Sequence, residues 1–242
     1  MTSFSTRPTR ADLERVLRLS ESDLASIGYY ADHYLFPFDI AGKRILEIGG
    51  GSGSIALYLA VERGATVDVL DEYEGHGSAA DNYVTLGKRL EALGFDSEVF
   101  KADVRSAKLP AETYDHAFAR NAFHHIYSRQ DDDSGPVSTF SRIRGWLKKG
   151  ATLALGEASW VSAIRMIPPL RKRVFKDFQF GSKSTANRWS RCARLGGFEN
   201  EGVAWYVPYS LRCLQPFLAN RLANAFLTTA YVARFRNPKI SS

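Results

Sequence analysis

A strand-to-helix turn with four glycines in five residues constrains the fold of this chain more than any other feature. The stretch RILEIGGGSGSIALYLA, residues 44–60, is an apolar run that ends in an acid, passes through Gly49, Gly50, Gly51 and Gly53, and continues in a helical pattern. Glycine permits positive φ angles and a close approach of a ligand to the backbone. The first turn of the following helix offers free N–H groups and a positive dipole end. The turn therefore predicts a binding site for a negatively charged group, with a turn that binds nothing as the alternative.

The spacing of these glycines separates two candidate ligands, a dinucleotide pyrophosphate and an amino-acid carboxylate. Residues 47–53 read E-x-G-x-G-x-G, whereas the dinucleotide fingerprint is G-x-G-x-x-G. The acid Glu47 precedes the first glycine by two residues, where it repels a pyrophosphate but can meet an ammonium group. The pattern therefore favours a ligand with an amino-acid end.

Strands and helices alternate along the chain from Lys43 onwards. Apolar and β-branched runs predict strands at 44–48, 66–70, 97–102, 115–119 and 151–157. Helical periodicity predicts helices at 54–63, 79–93 and 137–147. Helices of ten or more residues between strands indicate crossover connections, which produce a parallel sheet with helices on both faces. The sequence therefore predicts an α/β fold.

Both ends of the chain add elements to this alternation. Thr9 and Ser20 predict the caps of two N-terminal helices, and Pro37 is expected to end the second one. Near the C-terminus the pattern predicts a helix at 185–195, a strand at 201–207, a helical stretch at 208–225 and a strand at 227–235. Two last strands with a helical connection predict an antiparallel finish at the edge of the sheet.

Acidic residues follow the second and third predicted strands. Asp71 comes 22 residues after Gly49, near the separation at which a carboxylate binds ribose hydroxyls in this kind of sheet, and Glu72 is the adjacent alternative. Asp103 is placed to accept a hydrogen bond from an exocyclic amine, and Val104 to donate its N–H to the ring. Each acid taken alone also fits a helix cap or a solvated loop. Together, at the ends of successive parallel strands, they predict one adenosine-shaped site.

In this combination the sequence resembles the class I methyltransferases that use S-adenosylmethionine. The resemblance covers about residues 43–157 and rests on EIGGGSG, the acid of VLDEY, KADV, ETYDHAFARNAFHHI and WLKKGATLALGE. It implies a Rossmann-like, doubly wound α/β sheet of about seven strands whose last strand is antiparallel. The domain is then expected at 43–242, after a helical N-terminal extension at 1–42. The region after Trp160 follows no pattern of this family.

The resemblance also implies which residues hold the cofactor, S-adenosylmethionine. Glu47 and the glycine loop are expected at its methionine end, Asp71 at the ribose and Asp103 at the adenine amine. One departure from the family is the polar stretch EYEGHGSAADNYVTLG before the second helix of the sheet. Because this loop is longer than usual in the family, Glu72 is an alternative to Asp71 for the ribose contact.

Few catalytic residues are required, because the methyl group on a cationic sulfur is already reactive. Aligning the nucleophile can lower the barrier by about 7 to 11 kcal/mol, and a base for a hydroxyl acceptor adds roughly 10²- to 10⁴-fold. His124 and His125 follow the fourth strand, and His125 is the preferred candidate base. The alternative is that they pack against the cofactor or bind backbone. Asn121, just after the same strand, is expected to contact the acceptor or the cofactor, or else to act as a structural cap. Neighbouring histidines project apart and neither cysteine is near them, so no metal site is expected.

Positive charge concentrates in the segment after the fifth strand. The chain has a net charge of +6, and residues 160–194 contain nine basic residues and one acid. A basic lid at about 160–183 is expected to suit a phosphorylated acceptor, such as a sugar nucleotide or a lipid-linked glycan. Anionic lipid is an alternative partner, as is plain solvent, because a charge run is often only a solvated face. Nucleic acid is not expected, because no RNA-binding module is recognisable.

The sequence thus predicts methyl transfer to a small-molecule or lipid-linked acceptor, with oxygen preferred over carbon or nitrogen. The alternatives are a nicotinamide-dependent oxidoreductase, which shares the sheet and the ribose acid, and a binding protein of the same fold without catalysis. Cys192 and Cys213 are the only cysteines and the N-terminus is not signal-like, which predicts the cytoplasm, with the membrane surface as an option. The oligomeric state does not follow from the sequence.

Overall fold

Seven strands form one mixed sheet in the computed structural model, which describes residues 7–74, 79–161, 182–227 and 230–239. Numbered along the chain, the strands are β1 (Arg44–Ile48), β2 (Thr66–Asp71), β3 (Val99–Lys101), β4 (Tyr114–Arg120), β5 (Leu147–Ala158), β6 (Glu199–Trp205) and β7 (Ala230–Arg236). Their order in the sheet is β3-β2-β1-β4-β5-β7-β6. The first five pair in parallel, and β7 runs antiparallel between β5 and β6. The predicted Rossmann-like sheet with an antiparallel last strand is confirmed.

Helices cover both faces of this sheet. They are α1 (Arg10–Leu17), α2 (Glu21–Tyr30), α3 (Ser54–Arg63), α4 (Ala80–Leu93), α5 (Phe123–Ile126), α6 (Ser134–Trp146), α7 (Ala186–Leu195), α8 (Gln215–Leu218) and α9 (Arg221–Leu227). A π-helical turn (Ala31–Leu35) continues α2, and a 3₁₀ turn (Tyr209–Leu214) precedes α8. The α3 bounds are those expected from the sequence. In contrast, α6 begins three residues before the predicted helix, and β5 begins four residues before the predicted strand.

The alternation of side chains along β1 shows how the two faces are divided. Ile45 belongs to a core formed with α1 to α4, whereas Leu46 and Ile48 belong to a core formed with α5 to α7. Because successive side chains of a strand point to opposite faces, Glu47 lies on the face of Ile45. Phe118, its partner in β4, belongs to the same core. The site at the end of β1 therefore has one wall on each face of the sheet.

The N-terminal helices begin where the sequence predicts. Thr9 and Asp12 form a reciprocal capping box at α1, and Ser20 and Asp23 form another at α2. Such caps satisfy backbone N–H groups that a helix start leaves unpaired. The N-terminal tyrosines are buried and join the core of the α3 face, with Tyr34 among its largest fully buried side chains.

The segment between β6 and β7 differs from the prediction of one helical stretch at 208–225. The observed segment consists of the 3₁₀ turn and the short helices α8 and α9. Asn220 separates the two helices, because its amide donates to the Phe217 carbonyl and its side-chain oxygen accepts from the Ala223 N–H. An asparagine at this position caps the following helix rather than continuing the previous one.

The predicted basic lid falls almost entirely on residues 162–181, outside the described residues. The candidate lid residues Arg171, Lys172, Arg173 and Lys176 are among them. Among the helices of the described ranges, none has the length and apolar character required to cross a membrane.

Candidate active site

A pocket of about 520 Å³, open to solvent, lies at the carboxyl ends of the central parallel strands. It is the place where ligands bind in open α/β sheets. Apolar side chains of the α5 to α7 face, among them Ile48 and Leu70, form part of its wall. Of the residues predicted from the sequence, those that line the pocket are Gly49, Asp71, Glu72, Asp103, Val104, Asn121 and His125. The structure therefore brings together residues that are up to 76 positions apart in the sequence.

Three of the four loop glycines are required by packing within the protein. A Cβ atom at Gly49 would lie 2.4 Å from the Ala122 Cβ, and one at Gly53 would lie 2.3 Å from Leu86 Cδ1. A Cβ at Gly50 would lie 2.4 Å from Val69 Cγ1. Contacts this short do not occur in folded proteins, so a side chain at any of these positions requires the backbone or the neighbouring side chain to shift. These glycines let the loop pack closely against its neighbours.

Gly51 is different, because its missing side chain faces open space. The nearest atom to a Cβ built there is Asn82 Nδ2, at 3.9 Å. Its backbone has a φ of +52°, and its N–H donates to Asp71 Oδ2 at 2.9 Å. The space in front of the Gly51 backbone is therefore open, and a methyl group at this position would fill it; this space is called the cradle below.

The two acids at the end of β2 have different environments. Asp71 is buried, and its two carboxylate oxygens accept from the Gly51 N–H and, at 2.7 Å, from the Tyr73 N–H. Glu72 is exposed and makes no hydrogen bond or ion pair with any residue that the structure describes. Partial desolvation and then the negative charge of Asp103 raise the pKa of Glu72. Asp71 thus shapes the loop, while Glu72 has a carboxylate available to a ligand.

Asp103 is partly committed to a neighbour. Its carboxylate accepts from the Arg105 backbone N–H at 2.7 Å and from the Arg105 guanidinium Nε at 2.7 Å. These hydrogen bonds hold the pKa of Asp103 below its ordinary value. Val104 beside it is buried. The carboxylate of Asp103 remains charged at neutral pH, with its orientation fixed by Arg105.

Glu47 is a buried acid with an unpaired oxygen. The N–H of Ala56, in the first turn of α3, favours its carboxylate form, yet burial dominates and raises the pKa of Glu47 to about 8. Its Oε2 atom has no hydrogen-bond partner in the described structure, and neither does the buried hydroxyl of Tyr73. Burial and then the charges of Asp71 and Glu47 raise the pKa of Tyr73. Two buried polar atoms without partners are costly, and their presence beside the loop indicates a polar ligand.

The two histidines after β4 occupy different environments. The His124 ring is buried and its Nδ1 atom lies 2.6 Å from Glu157 Oε2, at the end of β5. The other oxygen of Glu157 accepts from the Phe123 N–H at 2.8 Å. His125 is exposed, lines the pocket, and its ring centre lies 4.1 Å from that of His124. A carboxylate that accepts from Nδ1 fixes the tautomer of the imidazole and leaves Nε2 as an acceptor.

Sequence reasoning missed two residues of this region. Glu157 stands in a motif of the family resemblance, but its pairing with His124 depends on β4 and β5 being neighbours in the sheet. The other residue is Arg120, whose guanidinium lies 4.7 Å from the ring centre of Tyr30. Within the described ranges the guanidinium of Arg120 makes no hydrogen bond or ion pair, and its charge acts on Glu47 and Tyr206. The signal for both residues was their position at the carboxyl edge of a parallel strand.

Asn121, next along the chain, has a left-handed backbone with a φ of +54°. Its N–H donates to the Gly156 carbonyl at 2.8 Å, which ties the end of β4 to β5. Asparagine tolerates this conformation better than most residues. The turn brings Ala122 against Gly49 and gives the pocket its wall on the β4 side.

Residues 46–155, which include every residue that lines this pocket, match the family model of a methyltransferase domain. These residues form a methyltransferase domain, and the chain is similar to the class I S-adenosylmethionine-dependent methyltransferases. The methyltransferase family and the cofactor predicted from the sequence are thereby confirmed, and methyl transfer is favoured over nicotinamide-dependent oxidation. A comparison with curated proteins finds no match.

Solved structures share the fold of this methyltransferase at low sequence identity. One is phosphoethanolamine N-methyltransferase 2 of Haemonchus contortus with S-adenosyl-L-methionine, at 18% identity and a TM-score of 0.57, covering 95% of this chain and 56% of that one. A protein of Pyrococcus horikoshii OT3 has 14% identity and a TM-score of 0.63, covering 91% and 92% of the two chains. A SAM-dependent methyltransferase of Methanosarcina mazei has 18% identity and a TM-score of 0.57, covering 81% and 93%.

Gly51→Ala and Gly49→Ala are expected to separate binding from folding in this methyltransferase. Gly51→Ala should lower the free energy of unfolding by only about 1 kcal/mol, because its Cβ meets open space. Its affinity for S-adenosylhomocysteine should fall by roughly tenfold or more, because the methyl group occupies the cradle. Gly49→Ala should instead cost roughly 2 to 4 kcal/mol of stability through its collision with Ala122. Denaturant titration and calorimetry measure both quantities, and unchanged affinity in Gly51→Ala would remove the cradle from the site.

Glu47→Gln is expected to stabilise the ligand-free methyltransferase and weaken its binding. The native state keeps a proton that the unfolded chain releases above the usual pKa of 4.5, so stability falls as the pH rises from 4.5 to about 8. Glutamine removes this loss, and the free energy of unfolding at pH 8 should rise by on the order of a few kcal/mol. Affinity for S-adenosylhomocysteine should decrease, because the carboxylate is lost. Equal stability of the wild type and Glu47→Gln across this pH range would contradict the raised pKa of Glu47.

Proposed function

We propose that this methyltransferase transfers the methyl group to an oxygen nucleophile of an anionic acceptor, either a small molecule or a lipid-linked one. The observation that carries the proposal is the buried hydrogen bond between His124 and Glu157. It supplies a base of fixed tautomer at the edge of the sheet where the pocket opens. A base of this kind is needed for a hydroxyl acceptor, whose proton must leave as the new bond forms.

The residues around the loop fit S-adenosylmethionine. Gly51 offers an open cradle, Glu47 Oε2 is an unpaired buried acceptor, and the pocket beyond is lined on one side by apolar groups. When bound, the cofactor supplies an electrophilic methyl group on a cationic sulfur. We assign Glu47 and the loop of Gly49, Gly50, Gly51 and Gly53 to its methionine end, in the domain that extends from residue 43 to 242.

The adenosine end is assigned to the pocket. Glu72 accepts hydrogen bonds from the ribose hydroxyls, because its carboxylate has no other partner. Asp71 mainly holds the loop, and the remaining lone pairs of its carboxylate oxygens accept further hydrogen bonds from the ribose. Asp103 accepts from the adenine amine and Val104 donates from its backbone. Asn121 closes the wall towards β4. These roles follow the sequence-based expectations, with the ribose contact moved towards Glu72.

His124 is proposed as the base, although the sequence favours His125. Glu157 fixes Nδ1 of His124 as the protonated nitrogen, so that Nε2 accepts the proton of the acceptor hydroxyl. His125 lines the pocket assigned to the adenosine end. Proton transfer to Nε2 converts His124 to a positively charged imidazolium, which the buried carboxylate of Glu157 stabilises.

An anionic acceptor is proposed because basic residues follow both β4 and β5 along the chain. Arg120 lies at the end of β4 without an ion-pair partner among the described residues, and the sequence of residues 160–194 contains nine basic residues. A structural neighbour of 17% identity, phosphoethanolamine N-methyltransferase 2 of Haemonchus contortus, binds phosphomonomethylethanolamine together with S-adenosylhomocysteine. That ligand carries a phosphate group, which supports a phosphorylated acceptor here. We place the enzyme in the cytoplasm, because both cysteines are free thiols.

His124→Ala and Glu157→Gln are expected to reduce turnover by about 10²- to 10⁴-fold while leaving S-adenosylhomocysteine affinity unchanged. The acceptor is first identified by incubating the protein with methyl-labelled S-adenosylmethionine and a fractionated cell extract. His125→Ala is the matched control and should keep most of its turnover. Loss of turnover in His125→Ala alone, or a product methylated on nitrogen or carbon, would contradict the proposed base and acceptor atom.

A further inference from the structure

Four large apolar side chains are exposed within thirteen residues of the β6–β7 connection. Their exposed fractions are 44% for Leu214, 76% for Phe217, 72% for Leu222 and 53% for Phe226. These four residues are called the connection patch below. Elsewhere in the described chain, exposed large apolar residues are scattered singly or in pairs. A concentration of this kind on a folded surface marks an interaction site.

The connection patch lies on the edge of the sheet that carries the active site. β7 is antiparallel to both β5 and β6, so β6 points in the same direction as the parallel strands. The connection therefore starts at their carboxyl ends. Tyr206 and Tyr209 at its start pack against Tyr30 and Tyr29 of the N-terminal helices. A partner held by the patch is thus at the same edge of the sheet as the active site.

The charged residues within the connection itself are all positive. No acidic residue follows Glu201 in the sequence, while five basic residues do. Arg212 and Arg221 lie within the connection, are exposed, and form no ion pair with a residue of the described ranges. Arg212 stacks on Tyr209, with 4.0 Å between the guanidinium carbon and the ring centre. A second copy of the chain would bring like charges together, whereas an anionic surface complements them.

A cleft beside the connection patch adds a place for a polar headgroup. Arg212 and Gln215 of the connection and Tyr29 and His33 of the N-terminal region line this open cleft of about 810 Å³. Asp32 lines it as well, and its carboxylate is paired with Arg63. The Tyr29 hydroxyl donates to Gln215 Oε1, which ties the two regions together. Apolar side chains next to an open cleft with an arginine match the amphipathic boundary of a bilayer.

We propose that the β6–β7 connection docks on an anionic lipid surface. The connection patch enters the boundary between headgroups and acyl chains, and Arg212 and Arg221 lie at the level of the anionic headgroups. The occupant is the bilayer itself. The inference deepens the proposed function and rests on it in one respect, since docking at this edge gives a lipid-linked acceptor direct access to the methyltransferase site.

The test is sedimentation of the full-length protein with sucrose-loaded vesicles. Vesicles that mix phosphatidylcholine with phosphatidylglycerol are expected to bind the protein, and phosphatidylcholine alone is expected to bind it weakly. Phe217→Ser with Leu222→Ser should lower the vesicle affinity by roughly tenfold or more, because two apolar side chains no longer leave water. Higher salt should weaken binding as well, since the headgroup attraction is screened. Leu195→Ser is the matched control, because Leu195 is 62% exposed at the end of α7 but lies outside the connection.

Wild-type protein that stays in the supernatant with anionic vesicles would overturn the proposal, as would equal binding of wild type and the double variant. Sedimentation velocity gives a further arm, and a dimer that the double variant breaks would assign the connection patch to a second copy instead. S-adenosylhomocysteine affinity is measured on the same samples and should be unchanged by Phe217→Ser with Leu222→Ser. If the protein binds S-adenosylhomocysteine but not the vesicles, only the lipid docking is contradicted. If it binds the vesicles but not S-adenosylhomocysteine, only the proposed function is contradicted.

Discussion

The carboxylate of Asp71 is the contact on which the rest of the site depends. It accepts from the Gly51 N–H across the β1–α3 turn and from the Tyr73 N–H just beyond β2. Two strand ends are thereby joined by one buried group, and the turn is held with its open side outward. The neighbouring glycines complete the arrangement, because Gly49 and Gly53 allow Ala122 and Leu86 to approach the turn from the other side.

A second consequence of this arrangement is that the ligand-free site is electrostatically unfavourable. Glu47 is buried next to Asp71 with an oxygen that lacks a partner, and its pKa is raised as a result. Such a group lowers the stability of the empty protein and is retained where a bound ligand satisfies it. His124 differs from Glu47, because its buried Nδ1 atom already has Glu157 as a hydrogen-bond partner. One acid thus has an oxygen available to a ligand, and the other orients the imidazole of His124.

Local sequence patterns predicted the elements that depend on local chemistry. The bounds of β1 and α3 and the caps at Thr9 and Ser20 follow from apolar periodicity and from hydrogen bonds within a few residues. What the sequence could not show was which glycines are needed for packing, since Ala122 is 73 residues from Gly49. The pairing of His124 with Glu157 likewise depends on the neighbouring positions of β4 and β5. The interruption at Asn220 had a local signal, an asparagine within a helical pattern, but apolar periodicity outweighed it.

The most direct measurement is a crystal structure of the complex with S-adenosylhomocysteine. The central claim is that Asp71 shapes a turn whose open side, at Gly51, receives the amino-acid end of the cofactor. The account predicts the ligand's amino acid against Gly51 and Glu47, with the Gly51–Asp71 hydrogen bond intact and the adenosine in the pocket of Glu72 and Asp103. A ligand bound elsewhere, or a turn rebuilt with that hydrogen bond broken, would contradict the account.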